Sequence, residues 1–253
     1  MKTILAIARK EVQTAFVTPL AYVIIAGFLV VAGFFFFTLL QQYNAILAQA
    51  ALYPDVKPNL NEWVVIPFYQ TLQIVLVFLL PIICMRSLAE EKQRGTFELL
   101  ATSPLTMPQI VFGKFIGLCH VVFIMLGFSF VFPLLLIITL GPEWLPILIG
   151  FLGLCLFAFS FVALGVAVSS CTKSQAVSGV IGLVVFLLFY VINAPAARLE
   201  GKLAEILNYA APTTHTELLL KGVITGSALV YFLSVISFGI FVSVRALEAE
   251  RGR

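Results

Sequence analysis

Residues 81–114 read "PIICMRSLAEEKQRGTFELLATSPLTMPQIVFGK" and interrupt an otherwise oily chain with charge. Arg86, Glu90, Glu91, Lys92, Arg94 and Glu98 fall within a dozen or so residues of one another, although charged residues make up only 11% of the 253. Apolar sequence flanks them on both sides. Hydrophobic residues reach 61%, against roughly 45–50% in soluble domains. One soluble core of this size would not hide so much apolar surface, so lipid is the expected solvent.

A helix crossing a hydrocarbon core of about 30 Å needs about 20 apolar residues. Six runs approach or exceed that length, at about 20–40, 64–85, 111–139, 145–170, 176–194 and 226–244. They are continuous rather than alternating, a poor fit to outer-membrane strands. The expected fold is therefore an all-α integral membrane protein of six transmembrane helices, forming a single domain over 1–253. Pro133 sits inside the long third run and is expected to kink or break it. The first run is full length and follows a charged segment, unlike the short apolar core of a cleaved signal peptide.

Lys and Arg set the orientation. With a cytoplasmic N-terminus, eleven of the 15 fall on inside segments, and Lys57, Arg198, Lys202 and Lys221 fall outside. Both termini and the 86–110 loop are then cytoplasmic. This bias accounts for the net charge of +3 without a nucleic-acid partner.

Residues 1–19 place Ile4, Ile7, Ala8, Val12, Ala15 and Phe16 at helical spacing, opposite Lys2, Arg9, Lys10 and Gln13. Such a helix lies in the membrane interface, and Thr18-Pro19 turns it into the first span like an elbow. The outer segment 41–63 contains "YPDVKPNLNEW" and reads as irregular, with Trp63 anchoring the second span. The outer segment 195–225 is too long for a turn. Leu199, Leu203, Ile206 and Leu207 share a face, Pro212 interrupts, and "TTHTELLLKGV" resumes a helical pattern.

The spans are nearly free of ionisable groups, and Lys114 is expected to snorkel to the cytoplasmic edge. Coupled carriers usually place carboxylates or broken helices near the midplane. Cys84, Cys119, Cys155 and Cys171 lack metal-ligand or disulfide spacing and read as packing residues. His120 reads as a packed or interfacial side chain, and His215 as an outer residue near Glu217 without partners. Gly113-Lys114 lacks the remainder of a phosphate loop, so no ATPase site is expected in this chain.

Within the charged loop, "RSLAEEKQ" favours a helix, Gly95 can end it, and Thr106 with Gln109 form a capping-box pattern for the next span. A pure topology signal would be basic. Here Glu90, Glu91 and Glu98 offset Arg86, Lys92 and Arg94, and Leu99-Leu100 follow, a mixture that suits docking to another protein.

"MRSLAEEKQRGTFELLATSPLTMPQIVFGKFIG" resembles the first cytoplasmic loop of ABC-2 type permeases, the membrane subunits of ABC transporters. The shared theme is EEK, GT, ExLL, a proline and GK. "ARKEVQTAFVTPLAYV", "SSCTKSQAVSGVIG", "APTTHTELLLKGVI" and "VRALEAERGR" are similar to segments of the gliding-motility-associated (GldF-like) permeases. The resemblance implies an exporter subunit of the bacterial inner membrane. It pairs with a second permease chain, and an accessory extracytoplasmic protein is compatible with it. It also implies that Glu90, Glu91, Lys92, Arg94, Gly95, Thr96 and Glu98 contact a separate cytoplasmic ATPase, with Leu99 and Leu100 packing there. ATP and Mg would be bound by that partner, leaving this chain without a cofactor. The alternatives are a channel or secondary transporter not driven by ATP, and a membrane-embedded enzyme or assembly factor.

Overall fold

The computed structural model describes residues 2–50, 58–97, 105–196 and 201–251, and among these there is no strand. Helix α1 (Lys2–Val17) bends at Thr18 into α2 (Pro19–Ala50). A short π-turn, Asn61–Val65, leads into α3 (Ile66–Cys84), followed by the short α4 (Ala89–Gln93). Then come α5 (Met107–Ser129), α6 (Val131–Leu140), α7 (Trp144–Cys171) and α8 (Gln175–Val191). The one-turn α9 (Asn193–Ala196), α10 (Lys202–Ala210), α11 (Pro212–Leu220) and the long α12 (Gly226–Arg251) complete the helices of the described residues.

Among the described residues, five stretches are long and apolar enough to cross a membrane: Pro19–Gln49, Asn61–Gln93, Met107–Leu140, Trp144–Cys171 and Gly226–Glu250. The remaining expected span forms a helix of 17 residues, Gln175–Val191. At 1.5 Å per residue it is roughly 26 Å long, at the short end for a crossing helix. Asn193 and Pro195 then interrupt the apolar pattern.

Two expectations about local structure change. Residues 41–50 are not irregular; they continue α2, because Gln41, Gln42, Ala45, Leu47 and Ala48 are good helix formers. Tyr43 is buried there and donates to the Pro58 carbonyl at 3.3 Å. The third run, by contrast, does break as Pro133 requires. With no N–H to offer the Ser129 carbonyl, Pro133 interrupts the ladder, and the chain passes from α5 to α6 at Phe130.

Helix α7 is the hub. In lipid, helices associate through close packing, which small residues permit. A Cβ on Gly165 would come within 2.6 Å of Cys84 Cβ, one on Gly153 within 2.8 Å of Leu219 Cβ, and one on Gly150 within 2.9 Å of the Tyr69 ring. Gly239 of α12 in turn lies against the Ala163 backbone, where a Cβ would sit at 2.7 Å. Phe157, Phe161 and Phe186 fill the remaining space with ring centroids 4.4 and 5.0 Å apart. Helix α2 lies at the other extreme. Phe36 is buried against Phe68 and Phe132, while Val30, Phe34 and Phe37 face outward.

The N-terminal helix is not a detached flank. A Cβ at Gly113 or Gly117 of α5 would stand 2.7 Å from Ile7 or Glu11 side-chain atoms of α1. The spacing Gly113-x-x-x-Gly117 clears one face of α5, and α1 lies directly across it.

Candidate functional site

The loop between α3 and α5 condenses around α4. Ser169, in the last turn of α7, supplies the cap that this helix lacks locally: its Oγ accepts from the backbone N–H groups of Leu88 and Ala89, both at 3.0 Å. One hydroxyl oxygen has two lone pairs for this purpose. At the other end Gly95 adopts φ +70°. The Thr96 N–H then reaches the Glu91 carbonyl at 3.0 Å and the Gly95 N–H reaches that of Lys92 at 3.2 Å. These are the paired closing bonds of a Schellman motif, in which a left-handed glycine costs least.

Lys114 does not snorkel. Its side chain is only 3% exposed and turns inward. The ammonium lies 2.9 Å from Glu91 Oε1 and 3.4 Å from Glu11 Oε2, and it donates to the Ser87 carbonyl at 2.6 Å. Three donors thus find three acceptors. The close approach of α1 over Gly113 and Gly117 makes this geometry possible, because it carries Glu11 to the lysine. Burial pushes the Glu11 carboxyl above its usual range; Lys114 opposes that shift and Glu91 reinforces it.

Lys92 points into the body as well. Its ammonium pairs with Glu250 Oε2 of α12 at 2.7 Å, donates to the Ser170 carbonyl of α7, and lies over the Phe97 ring. Gln93 Oε1 accepts from the backbone N–H of Gln175, the first residue of α8, at 3.0 Å. One five-residue helix is therefore tied to α7, α8 and α12 directly, and to α1 and α5 through Lys114.

The residues singled out in the sequence divide into two sets. Glu91 and Lys92 face inward, as structural ties. Arg94, Gly95 and Thr96 face outward, with Arg94 bridged to Glu90 at 2.6 Å and 71% exposed. Glu98, Leu99 and Leu100 lie outside the described residues. Beyond them, Thr106 and Gln109 form the expected capping box, with the Thr106 N–H 3.3 Å from Gln109 Oε1. Sequence reasoning missed Glu11, Ser169, Ser170, Gln175 and Glu250. The glycine spacing at 113–117, together with the single acid in the first helix, was the signal available for Glu11.

The opposite end holds a polar cavity of about 460 Å³, lined in part by Gln70, Gln73, Tyr190, Asn193, Thr213 and Glu217. Gln73 is buried, and neither its Nε2 nor Thr213 Oγ1 has a hydrogen-bond partner among the described residues. His215, expected to lack partners, instead faces the Tyr209 carbonyl at 2.8 Å through Nε2 and stacks on Tyr231 at 4.0 Å. His120 is exposed on α5.

The family comparison agrees with this architecture: the model described as "ABC-2 family transporter protein" matches residues 5–247. The chain belongs to the ABC-2 transporter family. It is thus a multi-pass membrane component of a transporter, of a family that generally lacks its own ATPase site and normally pairs with an ABC ATPase. Among curated proteins, none matches it.

Proposed function

We propose that this ABC-2 protein is the permease subunit of an ATP-driven exporter, with the loop around α4 as its coupling helix. The observation that carries the reading is the set of ties on α4. A push on its outward face would reach α1, α5, α7, α8 and α12 together. A docking partner can shift a conformational equilibrium only by binding its states differently, so the element it grips must not yield by itself. The Ser169 cap, the Lys92–Glu250 pair and the Lys114 cluster supply that rigidity.

In this reading Arg94, Gly95 and Thr96 meet the ATPase, together with Glu90, Glu98, Leu99 and Leu100, while Glu91 and Lys92 hold the loop in place. Gln175–Val191 is the fifth of six spans, α1 is the interfacial elbow, and both termini are cytoplasmic in a bacterial inner membrane. Two permease chains and two ATPases form the working unit, closest in kind to the gliding-motility-associated permeases. The polar cavity beside Gln73 lies on the substrate path.

The test is Glu98→Lys in the co-expressed complex. Placing a cation where the cleft favours an anion should reduce ATPase co-purification, while membrane insertion and permease dimerisation stay intact. Unchanged ATPase recovery and unchanged substrate-stimulated hydrolysis would reduce the loop to a topology signal.

A further inference from the structure

A second cavity, of about 190 Å³, lies where α1 and α2 meet α3, α4 and α5. Its walls are apolar: Ile24 and Ile25 of α2, Ile83 of α3, and Leu118, Val121 and Met125 of α5. The three α5 residues lie on one face and extend about 10 Å along the helix axis. The other end of the cavity is charged, bounded by Glu11, Arg86, Glu90 and Arg94. Exposed rim residues Thr14 and Ile82 open it to its surroundings.

The charges at this end are not equivalent. Glu90 is taken by Arg94 at 2.6 Å, and Glu11 faces Lys114 at 3.4 Å. Arg86 lines the same end and has no ion-pair partner among the described residues. A guanidinium without a carboxylate partner is best satisfied by a planar or phosphate-type anion that can take two N–H groups at once. The unmet need is for an acidic acceptor at the charged mouth of an apolar slot. In a protein whose first helix lies beside the membrane-crossing segments, the abundant molecule with that shape is a phospholipid.

We propose that this cleft binds one phospholipid from the adjoining leaflet, with its phosphate on Arg86 and one acyl chain along Ile24, Leu118, Val121 and Met125. The lipid then fills the angle between α1 and the bundle, next to the loop. The proposal rests on the chain's place in a membrane and is independent of ATP coupling.

The test is thermal unfolding of the purified, delipidated full chain in detergent, with four added probes. Dioctanoyl phosphatidylglycerol and dioctanoyl phosphatidylethanolamine share the phosphate and the chains. Dioctanoylglycerol keeps only the chains, and glycerol 3-phosphate keeps only the phosphate. Both phospholipids should raise Tm saturably, at roughly tenfold lower concentration than dioctanoylglycerol, and glycerol 3-phosphate should have no effect. Arg86→Gln should abolish the preference for phosphate. Val121→Trp, which fills the slot and leaves Arg86 in place, should abolish the response to all three lipids. The preference in the wild-type chain is read without any variant. Equal potency of dioctanoylglycerol and the phospholipids, no shift with any lipid, or an unchanged preference in Arg86→Gln would each overturn the proposal.

Discussion

Residues 85–97 close one end of the bundle and residues 201–222 close the other, and the two are held by different forces. At the first end the ties are ionic: Lys114 with Glu91 and Glu11, and Lys92 with Glu250. At the second they are aromatic stacking, hydrogen bonds and packing. His215 stacks on Tyr231 and faces the Tyr209 carbonyl, the Tyr231 hydroxyl donates to the Ala210 carbonyl at 2.6 Å, and Leu219 presses on Gly153. Its ion pair, Lys221–Glu217, is about half exposed on both sides, where such pairs contribute little. The second end should be tolerant, because each contact can be lost alone. The ionic end is not, because removing one member of a buried pair strands the other.

The largest effect should therefore come from Lys114→Met. It leaves Glu11 and Glu91 facing each other without their shared cation, at a cost of about 3–5 kcal/mol. His215→Phe keeps the stack and loses one hydrogen bond, at about 1 kcal/mol. Thermal unfolding of both variants in one detergent tests the contrast. If Lys114→Met falls no further than His215→Phe, charge is not what holds the loop.

Next in size is Ser169→Ala, which leaves the Leu88 and Ala89 N–H groups without their acceptor. Loss of a helix N-cap typically costs about 1 kcal/mol. The change should be local, so hydrogen exchange at Leu88 and Ala89 should quicken while the amides of α7 keep their protection. Uniform loss of protection across α7 would mean that Ser169 supports the span rather than the loop.

These two sites also show what the sequence made legible and what it did not. The helices were readable because in lipid an apolar run of sufficient length has few alternatives. The break before Pro133 and the Gly95 stop were readable because they depend on one residue's backbone chemistry. The Lys114 cluster was not. An isolated lysine near a span's end satisfies the snorkelling pattern equally well, and its partners lie 103 and 23 positions away along the chain. Only the placement of α1 across Gly113 and Gly117 decides between the two. Ser169 was missed for a related reason: it caps a helix some 80 residues earlier, and capping patterns are read locally. Arg94, Gly95 and Thr96 were singled out as ATPase contacts by the resemblance alone, and the structure adds that they are exposed.

A smaller effect depends on pH. Burial raises the Glu11 carboxyl above its usual range, so the folded chain binds that proton more tightly than the unfolded one. The resulting stability is complete at pH values below the unfolded carboxyl's titration and is lost as pH rises through the raised folded value. Wild type should therefore lose thermal stability with rising pH relative to Glu11→Gln, which cannot titrate. If the difference between the two is constant from the carboxylate range to neutrality, or runs the other way, Lys114 dominates Glu11 and the cluster is better described as a fully ionised triad.

The smallest effect on folding should come from Arg94→Gln, and that makes it the most informative about function. Arg94 is 71% exposed and its partner Glu90 is 24% exposed, and an ion pair with so exposed a member contributes about 0–1 kcal/mol. Tm should hardly move, and the Schellman closure at Gly95 should survive, since it uses only backbone groups. Lys92→Gln, two residues away but directed inward to Glu250, should lower Tm more. ATPase recovery from the co-expressed complex sharpens the contrast. If the outward face is the docking face, Arg94→Gln should reduce recovery at nearly constant Tm, whereas Lys92→Gln should reduce it only in step with stability. Full recovery with Arg94→Gln, coupled to a loss with Lys92→Gln beyond its change in Tm, would move the docking surface to the Glu250 side of the loop.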